Sequence, residues 1–215
     1  MSKVELPEGR VLRALTLVPE VRAVGEGDEK RKVITGYAVK WDQGWSERMT
    51  NWWGFEEAFE RGAFSKSIAA NDGNVYAAYQ HDVRYTMGRY PNTLKLIEDE
   101  VGLRYEIDPP EWASWIIESI ERGDVSGSSF IFDYQKYRWD ESREPARLVV
   151  EEATLYEVSP VTSPAYPSSE ASARSMEKIK ATMPNNRKET EVQRAAELRQ
   201  IEGYIIGIDL GGSEK

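Results

Sequence analysis

Gly123-Asp124-Val125-Ser126-Gly127-Ser128-Ser129-Phe130-Ile131-Phe132 joins a helix stop to a run of aromatic and β-branched residues. Glycine suits the left-handed position that ends a helix. The Ser-Gly-Ser-Ser start of the following strand is small enough for backbone to approach closely and for a serine to stand uncrowded. A nucleophile fits there. Gly-Ser clusters also commonly mark turns, so the chemical reading depends on the rest of the chain.

On its N-terminal side, residues 111–122 place Trp112, Trp115, Ile116 and Ile120 at helical spacing, which predicts a helix with that stripe buried. On its C-terminal side, residues 125–138 and 146–161 read as a long hairpin-like pair separated by a charged loop, with Pro160, Pro164 and Pro167 closing the region in an extended path. Further upstream, residues 11–18, 32–41 and 74–80 carry strand patterns, the second around Gly36, and residues 21–28 read as a polar, glycine-bearing loop. Residues 55–70 keep helical spacing split by Gly62, which predicts two short helices. Residues 86–89, 93–98 and 102–108 read as successive antiparallel strands, the last two joined at Asp99-Glu100. So many strands in a row predict a barrel or sandwich. Trp45, Trp52 and Trp53 lie among polar residues in 42–54, as a mobile flap or as a cover for one end of the core.

Composition bounds the function. A chain of 215 residues suits one domain with a tail. Beyond Ser168 the residues turn to Ser, Ala, Lys, Glu and Arg, so the predicted division is a domain over 1–170 and a flexible, partly helical tail over 171–215. With 37 acidic against 28 basic residues the net charge is -9, which argues against nucleic acid and anionic membranes and for protein partners. The sequence has no cysteine and one histidine, which removes disulfides, thiolate sites and imidazole-rich metal sites; no metal or other cofactor is expected. No secretion segment or membrane-length apolar run is present, so the reading is a soluble, cytoplasmic protein.

If a serine of the quoted stretch attacks a carbonyl, the base must be His81, because no other imidazole exists. Asp82 is a poor partner for it, since successive side chains of an extended strand point to opposite faces. Glu157, in Leu155-Tyr156-Glu157-Val158-Ser159-Pro160, is a lone acid in a β-forming, apolar segment and needs a partner if it is buried. By the same alternation Ser128 and Ser129 face opposite ways, and only one of them can meet His81.

Gly36-Tyr37-Ala38, Gly62-Ala63-Phe64, His81-Asp82 with Met87-Gly88-Arg89, Gly102-Leu103, the quoted Gly123 to Phe132 stretch and the segment from Leu155 to Tyr166 occur in one order. That order resembles the prohead (capsid maturation) proteases of tailed bacteriophages. The resemblance spans about residues 33–168. It implies a serine endopeptidase with a fold similar to the herpesvirus assemblins, mainly β with helices (α+β), a closed antiparallel β-barrel surrounded by helices. It also implies His81 as base, Ser129 as nucleophile and Glu157 as the third member. Ile131 stands where glycine is common in the family, and Ser128 directly precedes Ser129, which leaves the nucleophile open between the two neighbours. The implied partners are the phage major capsid protein and its scaffold segment. A homodimer, action inside the immature capsid in the host cytoplasm, and self-cleavage or targeting through the tail belong to the same implication. The alternative is a non-catalytic capsid-assembly or scaffold-binding β-domain, which would need a missing triad member; none is missing. A sugar-binding domain using the seven tryptophans as stacking platforms is a further rival; it predicts aromatics spaced on one exposed face, whereas Trp112 and Trp115 fit a buried helical stripe.

Overall fold

The computed structural model describes residues 9–27, 30–41, 56–71, 74–143 and 146–164. The expected flap at 42–54 and the tail from 171 lie outside the described residues.

Two long strands organise the rest: β9 (Gly127–Asp140) and β10 (Arg147–Val161), paired antiparallel along their whole length as the hairpin pattern predicts. β1 (Val11–Leu15) adds to the outer side of β9, with Ala14 opposite Ser129. The other side of β10 is shared. Its first half pairs in parallel with β4 (Glu56–Phe59), and its second half in parallel with β5 (Tyr76–Tyr79), which in turn pairs with β6 (Asp82–Arg89). Between β4 and β5 the chain makes the short helix α1 (Ser65–Ala70). The β10 backbone facing this gap is satisfied without a strand: Ala153 N–H donates to the Ala63 carbonyl (2.8 Å) and Leu155 N–H to Ser67 Oγ (3.0 Å). A second sheet runs in the order β2 (Glu20–Val24), β3 (Arg31–Lys40), β8 (Gly102–Ile107), β7 (Leu94–Glu98). After a single 3₁₀ turn at Glu111–Ala113, α2 (Ser114–Glu121) leads into β9 and ends at Gly123, whose φ of 84° is the left-handed cap foreseen there.

One face of β9 carries Ser128, Phe130, Phe132 and Tyr134, all buried. Phe130 and Phe132 meet Phe59 of β4 edge-on at 5.6 and 5.1 Å, and Phe64 stacks on Phe59 at 5.4 Å. Such ring pairs add about 0.5–1.5 kcal/mol each beyond their area. The same face holds a buried ion pair. Arg13 reaches Glu57 at 2.7 Å and the Tyr134 hydroxyl at 2.8 Å, and Tyr134 donates to Glu57. Burial is the main cause that holds the Tyr134 hydroxyl well above its ordinary range.

Four expectations are corrected. Among the described residues the strands form a six-stranded and a four-stranded sheet rather than a closed barrel, because no pairing joins the edge strands of one to those of the other, and the helices are too few to surround it. Residues 20–24 form a strand, not a loop: pairing with β3 supplies the hydrogen bonds that a mostly exposed edge sequence does not advertise. The first of the two helices expected in 55–70 is the strand β4, since four residues are too few for periodicity to decide and pairing with β10 does. Trp112 and Trp115 are 41% and 43% exposed, while Ile116 and Ile120 are buried. The 3₁₀ turn offsets the helical stripe at its start, and Trp115 packs edge-on against Tyr79 (5.3 Å) and Tyr85 (5.7 Å) instead of entering the core.

Candidate active site

β5 and β6 are joined by a two-residue turn, because Tyr79 pairs with Asp82. Gln80 and His81 both have positive φ, 57° and 61°, as a tight hairpin of this length demands. Glycine or asparagine is the usual occupant; two bulkier residues there store local strain that surrounding contacts must hold. Those contacts come from the end of β10 and just beyond it. Gln80 N–H donates to the Pro160 carbonyl (3.2 Å), Gln80 Nε2 to Thr162 Oγ1 (2.6 Å), and His81 N–H to Ser159 Oγ (3.3 Å).

The turn aims the imidazole across the open ends of β10 and β9. His81 Nδ1 lies 2.8 Å from Glu157 Oε1, and His81 Nε2 lies 2.7 Å from Ser129 Oγ. A proton on Nδ1 donated to the carboxylate leaves Nε2 with its lone pair toward the serine hydroxyl. Ser129 Oγ also lies 2.8 Å from the Arg13 carbonyl of β1, a second acceptor for the same proton. Glu157 is 1% exposed and Ser129 is buried, whereas the imidazole is one-fifth exposed and is the member of the three that meets solvent.

Ser128 faces the opposite way. Its hydroxyl lies 2.8 Å from the Tyr105 hydroxyl of β8 and donates to the Leu17 carbonyl (2.8 Å), so it ties the two sheets together. Burial raises the Tyr105 hydroxyl above its ordinary value and keeps it protonated. Asp82 pairs with Arg84, whose Nη2 lies 2.6 Å away, and the strand alternation expected between it and His81 does not apply, because His81 has a φ of 61°. Arg84 accordingly lowers the Asp82 carboxyl below its usual range.

A bulge in β10 decides which faces meet. Leu155 is opposite Phe132, but Glu157 is opposite Ile131 and Ser159 is opposite Ser129, so one residue, Tyr156, is extra. Strict alternation would have sent Glu157 to the Phe130 face along with Ser128; the extra residue turns it to the face of Ser129. Two contributors to this site escape the sequence reading. Ser159 donates to Glu157 Oε1 (2.5 Å), and Tyr76, the neighbour of Glu157 across the parallel β5 pairing, donates to Oε2 (2.8 Å). Ser159 carried a signal, being two residues from Glu157 on a strand; Tyr76 and the Gln80 clamp carried none.

The model of the caudovirus prohead serine protease family matches residues 19–182. The chain belongs to that family, and is a serine protease of prohead maturation. The matched span contains His81, Ser129 and Glu157. No curated protein matches the sequence. Among solved structures, the capsid assembly protease of bacteriophage T4 is similar over 72% of this chain and 98% of its own, with 11% identity and a TM-score of 0.47.

Proposed function

We propose that this prohead protease is of the Ser-His-Glu type, with Ser129 as nucleophile, His81 as general base and Glu157 as the acid that orients the ring. The observation that carries the reading is the unbroken relay from Glu157 Oε1 through His81 to Ser129 Oγ, with successive separations of 2.8 and 2.7 Å. In the first step Ser129 Oγ bonds to the scissile carbonyl carbon while its proton passes to His81 Nε2. The imidazolium so formed keeps its Nδ1–H on Glu157, which balances its charge. It then gives the Nε2 proton to the leaving amine as the C–N bond breaks. Water, deprotonated by the same nitrogen, clears the acyl-enzyme and returns the proton to Ser129.

The substrates that fit this reading are the major capsid protein and scaffold segment of the same phage, cleaved inside the immature particle in the host cell, together with the chain's own tail from about residue 171. A homodimer is the proposed working state. The test is incubation of the purified chain with those two proteins. New fragments are expected with the parent and none with Ser129→Ala or His81→Ala; Glu157→Gln is expected to retain cleavage at a rate roughly 10⁴-fold lower. Cleavage by Ser129→Ala at the parent rate would refute the assignment.

A further inference from the structure

We infer that Tyr76 and Ser159 are positioning residues: their hydroxyls hold the Glu157 carboxylate on His81 and set the pH at which that imidazole is free to take a proton. The inference rests on the Ser-His-Glu reading above and adds two residues to it.

Three donors converge on a carboxylate that is 1% exposed. Oε1 receives His81 Nδ1 (2.8 Å) and Ser159 Oγ (2.5 Å), and Oε2 receives Tyr76 Oη (2.8 Å). With both oxygens engaged, the carboxylate plane is fixed, and with it the lone pair that meets Nδ1. Ser159 also ties its own strand to the β5–β6 turn, since its oxygen accepts the His81 N–H at 3.3 Å. Tyr76 is suited to remain a donor. Burial, and then the neighbouring carboxylate, push its hydroxyl up to about 12, so it keeps its proton throughout the neutral range.

The electrostatic consequence has a definite sign. Before proton transfer the Glu157–His81 couple bears one negative charge, and after the ring takes a proton it is neutral overall. Neutral O–H dipoles pointing at the carboxylate stabilise the first state more than the second. Removing either hydroxyl therefore favours proton uptake by the couple and moves its titration to higher pH. The charged groups near this unit include Arg89 of β6, whose guanidinium lies 5.6 Å from the Tyr76 ring centroid, Arg10, 4.1 Å from the Tyr156 ring centroid, the Asp82–Arg84 pair that follows His81, and Asp133, which accepts the Tyr156 hydroxyl. None of these residues is replaced in the variants below.

The chain's single histidine makes the test direct, because one imidazole resonance in an NMR titration belongs to His81 whether or not the protein is cleaving anything. The variants are Tyr76→Phe, Ser159→Ala, Glu157→Gln and Tyr156→Phe; the last removes a hydroxyl that bonds Asp133 (2.8 Å) from the residue next to Glu157. The titration midpoint is expected to rise by roughly half a pH unit, about a threefold change in the protonation ratio, in Tyr76→Phe and in Ser159→Ala. It is expected to fall in Glu157→Gln and to stay in Tyr156→Phe. The acidic limb of kcat/KM should move with the midpoint in each variant, which a loss of folded protein alone would not produce. If Glu157→Gln moves the midpoint but Tyr76→Phe and Ser159→Ala leave it in place, the positioning role is overturned and the His81–Glu157 reading stands. If Glu157→Gln also leaves it in place, both fail.

Discussion

Ser128 and Ser129 are adjacent, both are buried, and their hydroxyls meet different partners, so on the proposed reading truncating each in turn should separate stability from chemistry. Ser128→Ala removes the partner of the fully buried Tyr105 hydroxyl and the donor to the Leu17 carbonyl, both at 2.8 Å. A buried hydroxyl left without a partner costs about 1–3 kcal/mol, and the second lost bond adds to this, so a destabilisation of about 2–3 kcal/mol is expected. For a chain of this size that corresponds to a Tm lowered by roughly 4–12 °C. Among the described residues Ser129→Ala deprives two acceptors, His81 Nε2 and the Arg13 carbonyl, and the imidazole that carries the first is one-fifth exposed. Its expected cost is about 1 kcal/mol. The reactivity should divide the other way. Treated with a serine-directed fluorophosphonate, the parent and the folded fraction of Ser128→Ala should each gain one adduct by intact mass, and Ser129→Ala none, since on the proposed reading Ser129 Oγ is the atom that reacts. A Ser128→Ala/Tyr105→Phe double variant should be less destabilised than the sum of its single changes, because the orphaned hydroxyl is gone. An adduct that persists in Ser129→Ala and disappears in Ser128→Ala, with little change in Tm for Ser128→Ala, would refute the assignment of the two faces.

Breaking the buried Arg13–Glu57 pair from one side, as Arg13→Met or as Glu57→Gln, should each cost about 3–5 kcal/mol, while replacing both with apolar residues should cost less than either; chemical denaturation of the three variants decides it. In Gly127→Ala the new Cβ would stand 2.5 Å from the Leu15 carbonyl of β1 and 2.8 Å from Pro164, so β1 must shift, at a cost of about 1–3 kcal/mol by the same measurement. At alkaline pH, the unfolded chain releases the Tyr76 proton near its ordinary value of about 10, whereas the folded chain keeps it to about 12. The stability this contributes is complete below the lower value and is lost as pH rises through the upper one. Urea midpoints measured at about pH 9 and about pH 11 should therefore fall less in Tyr76→Phe than in the parent, and equal falls would contradict the shift.

Much of this protein was decided by local sequence. Gly123 had to end a helix, because few other residues accept its left-handed φ of 84°. The alternation of Ser128, Phe130, Phe132 and Tyr134 had to give a strand with one apolar face, and a single histidine left one possible base for serine chemistry. What no local pattern contained was the meeting of strands distant in sequence. The 20–24 strand exists through its pairing with β3, β4 exists through its pairing with β10, and among the described residues the strands fall into two sheets with no ladder between them. The site depends on the same kind of event. Period-two alternation, carried through β10 from Leu155, turns Glu157 toward Ser128 and the core; only the extra residue at Tyr156, beside the Ser67 hydroxyl that takes the Leu155 N–H, turns it toward Ser129. A strand's faces are written in its sequence, but its register against a neighbour is set by contacts that form only when the chain has folded.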